Sequence, residues 1–449
     1  MSDSTYNIRR LEKIQRKQHR QQAGMNHQDH SEFGQNHHRR DTTRNFTDFG
    51  ISLEHLPDLA IEAFKSLISK YDPYCDEHPG RTSVQEALSA KQVKVKRVLI
   101  NLLQSSLLPL LHQQFTTLSL SLPPFDFPEE PVLQLKYILQ IHSELDNTLD
   151  QIVSVISAVC PDPLYASNRT DDQHLDEFKS YRLHGLKKKF HEMMTDEVCQ
   201  IFHQAVQLIQ QTKPSTETPV DQAYTDSLRG CLREETFRTC DSIDSIVNWL
   251  RGSELDIAQG PWKDELIEID KILAELMALI NPPIITIQNE NQPPTSKLAR
   301  QPVIQLAKLV IPLFKLSRLF FNKLSRRGMN RNRLPLYTKM CSSQIESLEV
   351  STVNVKCDLA DMMRVLKLAD TAYGAASSQD FIDVAENLDS RFESTLLLVS
   401  LYFLPLIPDS LSFSDHDHFK IWFVDWNTQF TLATNNFKNL AKLFETDLL

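Results

Sequence analysis

Glycine is scarce, with ten residues in a chain of 449, against a usual share of ~7%. It supplies the positive-φ turns and bulges that all-β and nucleotide-cradling folds use heavily. Its scarcity therefore points to long helices joined by few loops. Paired cysteines are lacking too. Cys75, Cys160, Cys199, Cys231, Cys240, Cys341 and Cys357 are dispersed, odd in number and form no C-x-x-C. That excludes a disulfide scaffold or zinc module and fits a reducing compartment. The longest nearly uncharged apolar run, Thr395 to Ile407 (TLLLVSLYFLPLI), is too short to cross a bilayer. The opening MSDSTYNIRRLEKIQRKQHR has no apolar stretch of the kind a secretory signal needs. An intracellular protein, cytoplasmic or nuclear, without a transmembrane segment is expected.

Reaction motifs are missing as well. There is no G-x-x-x-x-G-K-[ST], no G-x-G-x-x-G after a strand and no G-x-S-x-G elbow. FHEMMTD (190–196) begins like a zinc-protease helix but has Thr195 where the second histidine belongs. His191, Cys199 and His203 span about 18 Å along one helix, too far for one ion. SDHDHF (414–419) reads as a helix cap whose acids suit the dipole. No catalytic residue, cofactor or metal is therefore assigned, and the chain is not expected to be an enzyme.

What is present is helix upon helix. Apolar residues recur at steps mostly of three and four through Leu135, Ile138, Leu145, Leu149, Ile152, Ile156 and Val159, and again through Phe381, Val384, Leu388, Phe392, Leu396 and Val399. Helices are expected over about 57–71, 83–118, 131–159, 171–211, 220–250 and 261–281, and in the stretch 306–333. Three more follow, through Ile345–Leu366, Ser378–Leu404 and Asp415–Phe444. The first of these three carries a near-heptad, coiled-coil-like stripe. Pro109, Pro312 and Pro405 predict kinks or ends. The fold class is all-α, long antiparallel helices in up-and-down bundles. Residues 1–48, rich in Gln, His and Arg, read as a disordered basic tail. Residues 49–281 form an N-terminal bundle, 282–302 a proline-rich linker, and 303–449 a C-terminal four-helix bundle.

The sharpest charge asymmetry lies between Glu290 and Glu346, where no acid occurs and eleven bases do. On the helix wheel Leu306, Val310, Leu313, Phe314, Phe320 and Leu324 belong to a broad apolar side, the width a bundle wall needs. The candidate partner- or anion-binding residues are Lys308, Lys315, Arg318, Lys323, Arg326, Arg327, Arg331 and Arg333. They can pair with acidic helices of the same chain, such as DELIEID (264–270), or meet an anionic partner. The aromatic stripe of the last helix, with Phe423, Trp426, Phe430 and Phe437, reads as core.

PLFKLSRLFFNKLSRRGM (312–329), with NWLRGSELDI (248–257) upstream, resembles an uncharacterised helical family expanded in rust fungi. That resemblance covers the chain from about residue 80 and implies no site residues. The order of the later helices is also similar to that of the cyclin-D-binding helical-bundle proteins. The leading expectation is a non-enzymatic protein that acts by binding another protein. The alternative is a peripheral anion binder, of nucleic acid or an acidic membrane surface, through residues 297–339.

Overall fold

A computed structural model describes residues 55–71, 90–122, 131–160, 169–211, 222–281, 297–325, 328–331, 334–371, 376–407 and 415–444. The expected tail, 1–48, lies outside these residues, as does most of the proline-rich linker. Among the described residues the regular structure is entirely helical, so the all-α class holds. The first half contains α1 (Leu56–Tyr71), α2 (Ala90–Leu102), α3 (Leu108–Ser121), α4 (Pro131–Val159), α5 (Ser180–Met193), α6 (Cys199–Gln210) and α7 (Gln222–Arg251). After α8 (Glu254–Ala258) come α9 (Trp262–Ile280), α10 (Gln301–Leu324), α11 (Ser342–Glu349), α12 (Ser351–Thr371), α13 (Ser378–Tyr402) and α14 (Asp415–Leu443).

In the first half α1 packs on α4 and α6, α3 on α4 and α7, and α6 on α7, closing a ring of helices. Phe64 and Phe115 meet Phe202 at its centre, at centroid distances of 5.9 and 6.2 Å. In the second half α9 packs on α10 and α12, α12 on α13, α13 on α14, and α14 on α10. So α9, which precedes the proline-rich stretch, packs with the helices that follow it. Residues Leu53–Leu449 belong to one compact unit.

The helices are interrupted at three places. Pro109 has no N–H to offer Ser105, and the chain widens into a π turn over Leu103–Leu107 before α3. A second π turn, Met194–Val198, divides α5 from α6 where one helix was expected. The helix expected through Ile345–Leu366 breaks at Val350, because the Glu349 carbonyl accepts the Trp262 indole N–H at 3.1 Å. Pro312, by contrast, sits inside an unbroken α10, and Pro405 lies in a 3₁₀ turn after α13 ends.

The wall of the second half is aromatic. Phe320 meets Trp426 at 4.6 Å and Phe392 at 5.2 Å, and Trp426 stacks on Phe430 at 4.9 Å. The Trp426 N–H is satisfied by the Leu316 carbonyl at 2.8 Å, as a buried indole requires. Six cysteines lie among the described residues, none of them in a disulfide.

Candidate functional site

The joint between the two halves is polar and deeply buried. Burying a charge is costly unless it is paired and hydrogen-bonded, and four charged side chains here meet that condition in different ways. Lys179 and Glu254, both fully buried, form an ion pair. The Lys179 ammonium also donates to the Thr338 carbonyl at 2.9 Å, and Glu254 accepts from the Thr338 amide at 2.8 Å. Asp172 has no basic partner in this network and instead caps two helices. It accepts from the Ser180 amide that opens α5 and the Ser342 amide that opens α11, both at 2.8 Å. The positive ends of two helix dipoles thus offset its charge. Arg182 does the converse. Its guanidinium, 4% exposed, donates to the carbonyls of Trp249, Leu250 and Gly252 at the C-terminal end of α7, 3.2–3.4 Å away, where the dipole is negative. Burial lowers its pKa below the usual range, and the Tyr337 ring lies 5.2 Å from it.

Two clefts flank this joint. The first, about 370 Å³, is lined by Arg97, Asn101 and Gln104 from the α2 end, by Arg182, and by Arg251 and Tyr337. Asp176 on its rim has φ 48° and is the only non-glycine residue with positive φ among the described residues. The second, about 540 Å³, lies between α5, α7, α8 and α11. Trp249 lines both and packs closely on Gly185, where an added Cβ would lie 2.0 Å from the indole. Glycine is required there by close approach. The Tyr181 hydroxyl at the second cleft is buried and makes no hydrogen bond of standard geometry. It sits beside the Glu349 carboxyl, and burial first, then this carboxyl, pushes the phenol's ionisation well up. Burial likewise raises Glu349, with Glu346 adding to the effect.

The sequence-derived basic residues lie elsewhere, along α10. Lys308 and Lys315 are exposed. Arg318 pairs with Asp270 of α9 at 3.2 Å, inside the acidic DELIEID stretch. Lys323 lies 4.7 Å from the Phe419 ring and 5.1 Å from Trp422, with His418 Nε2 at 3.3 Å, and desolvation lowers its pKa. The side chains of Arg326, Arg327, Arg331 and Arg333 lie outside the described residues. The run SDHDHF does open a helix, α14 starting at Asp415. Among the described residues no three His, Cys, Asp or Glu side chains gather as a metal site. No helix there is long and apolar enough to cross a membrane.

Sequence reading missed the joint. Asp172 and Ser342 are 170 positions apart, and no local motif ties them. The one available signal was the capping box in GSELDI, where Ser253 and Asp256 bond reciprocally and start α8 with Glu254 facing inward.

Family comparison divides the chain at this same joint. Residues 96–251 match the model of a Domain of unknown function (DUF8723), and residues 253–439 that of a Domain of unknown function (DUF8721). The chain thus carries uncharacterised, largely helical domains. No curated protein and no solved structure matches it significantly.

Proposed function

We propose that this is a non-enzymatic intracellular protein that binds another protein through the outer face of its last two helices. One observation carries the reading. On α14, Ile421, Val424 and Leu432 are 61%, 59% and 54% exposed, although the opposite face of the same helix is packed aromatic core. The spacing of 3 and 8 places them in one row about three turns long. Leu397 and Leu401, one turn apart on the adjoining α13, are 58% and 57% exposed. Single exposed leucines need no explanation, but a row in helical register suits the apolar face of an amphipathic partner helix.

The test is co-purification from the protein's own cells with the intact chain and with Ile421→Asp/Val424→Asp. A partner recovered reproducibly with the first and lost with the second supports the reading. Identical recovery by both contradicts it. The alternative, anion binding through residues 297–339, rests on Lys308 and Lys315 together with Arg326, Arg327, Arg331 and Arg333, since Arg318 and Lys323 already have partners within the chain. It requires liposome or nucleic-acid binding that falls steeply with salt.

A further inference from the structure

We propose that the chain bound at the outer face of α14 is a second copy of this one, its α14 parallel to and in register with the first, a proposal that rests on this face being a binding face. The face has the pattern of a two-stranded seam. Ile421 and Thr428 stand seven residues apart, as do Val424 and Thr431, so the four fall at the a and d positions of two heptads. All four are exposed. The Thr428 hydroxyl donates to the Val424 carbonyl at 2.9 Å, which leaves its methyl for packing. In the same frame Lys420 takes a g position and Asp425 the e position five residues on. Both are exposed, and neither has an ion pair among the described residues. Between parallel helices a g residue faces the e residue five positions on in the other strand. Lys420 of each copy thus faces Asp425 of the other. Antiparallel helices would set lysine against lysine and aspartate against aspartate.

The flanking helices select the same arrangement. α14 lies between α10 and α13. Lys323 beside Phe419 and Trp422, and the Leu316 carbonyl at the Trp426 indole, run α10 antiparallel to it. Phe392 against Trp426 and Phe430, and Phe381 against Phe437 and Phe444, do the same for α13. Counted from these anchors at about 1.5 Å per residue, Lys308 is level with Glu386, and Lys315 with Glu393. These four are exposed and have no ion pair among the described residues. A two-fold axis along α14 keeps each level and exchanges the flanks. The lysines of one copy then come to the side of the glutamates of the other, at the same height. Leu319 and Leu397, four residues further on and 52% and 58% exposed, meet in the same way. A two-fold axis across α14 would put lysines beside lysines. A face that complements itself about one axis closes as a dimer, and an unrelated helix has no reason to match both flanks.

Sedimentation velocity of the full chain at low salt, over a dilution series, tests this. A reversible monomer–dimer equilibrium is expected. Val424→Asp sets two carboxylates against each other in the seam and is expected to weaken it about a hundredfold or more. Lys420→Glu is expected to weaken it about tenfold, and adding Asp425→Lys to restore it, because the exchanged charges still face each other. Only monomer at every concentration overturns the proposal. So does a dimer that Val424→Asp leaves intact, or one weakened by Lys420→Glu and not restored by the second change. If Val424→Asp loses its helical circular dichroism, the charge exchange alone decides. A monomer that still captures a different protein through Val424 overturns the proposal and leaves the binding-face reading standing.

Discussion

Removing the Lys179 ammonium tests the joint more sharply than any surface change. Lys179→Met retains most of the alkyl stem and deletes the charge. Two bonds go with it, the ion pair with Glu254 and the donation to the Thr338 carbonyl at 2.9 Å. The larger effect is what remains, a fully buried Glu254 carboxylate supported only by the Thr338 amide and hydroxyl. Breaking a buried pair on one side costs about 3–5 kcal/mol, more than either bond alone contributes. Replacing both partners, Lys179→Met with Glu254→Leu, removes the stranded charge, so the double variant is expected to recover most of the loss. Urea unfolding followed by far-UV circular dichroism and tryptophan fluorescence measures both, with the coincidence of the two probes checked first. A single variant within about 1 kcal/mol of wild type, or a double variant no better than the single, would refute the account of how the halves are joined.

Other perturbations have defined outcomes. Gly185→Ala drives a methyl into Trp249 and is expected to cost about 1–3 kcal/mol, read by the same unfolding curves. Phe320→Ala empties the ring cluster around Trp426 and Phe392, with an expected loss of about 3–5 kcal/mol. Glu349 is raised in the folded chain by burial, so it contributes stability at acid pH that is lost as pH rises from the ordinary carboxylate range through its folded value. Stability profiles of wild type and Glu349→Gln should therefore diverge over that window, the variant staying flatter. Equal slopes count against the burial argument.

How much of this was legible depended on distance along the chain. The helix stripes were readable because each is written within a few turns, and the buried sides of α10, α13 and α14 follow them. Pairing of the basic helix with DELIEID was readable as charge, and Arg318–Asp270 realises it. Breaks caused by distant partners were not readable. The end of α11 depends on Trp262, 87 positions away. Nor was the assignment of α9 to the later helices visible, because five prolines in 282–302 mark where the chain turns and say nothing about which faces pack. The joint was invisible for the same reason. Asp172, Arg182 and Glu254 look like ordinary surface charges until the helix ends that compensate them are brought together.

The central functional claim is that the row Ile421, Val424 and Leu432 is a binding face. Photo-crosslinking from a benzoylphenylalanine at Val424, compared with one at the exposed Ile267 on α9, tests it most directly. One reproducible crosslinked protein from position 424, absent from 267 and lost with Ile421→Asp, is predicted. The same products from both positions, or none from either, would contradict the claim.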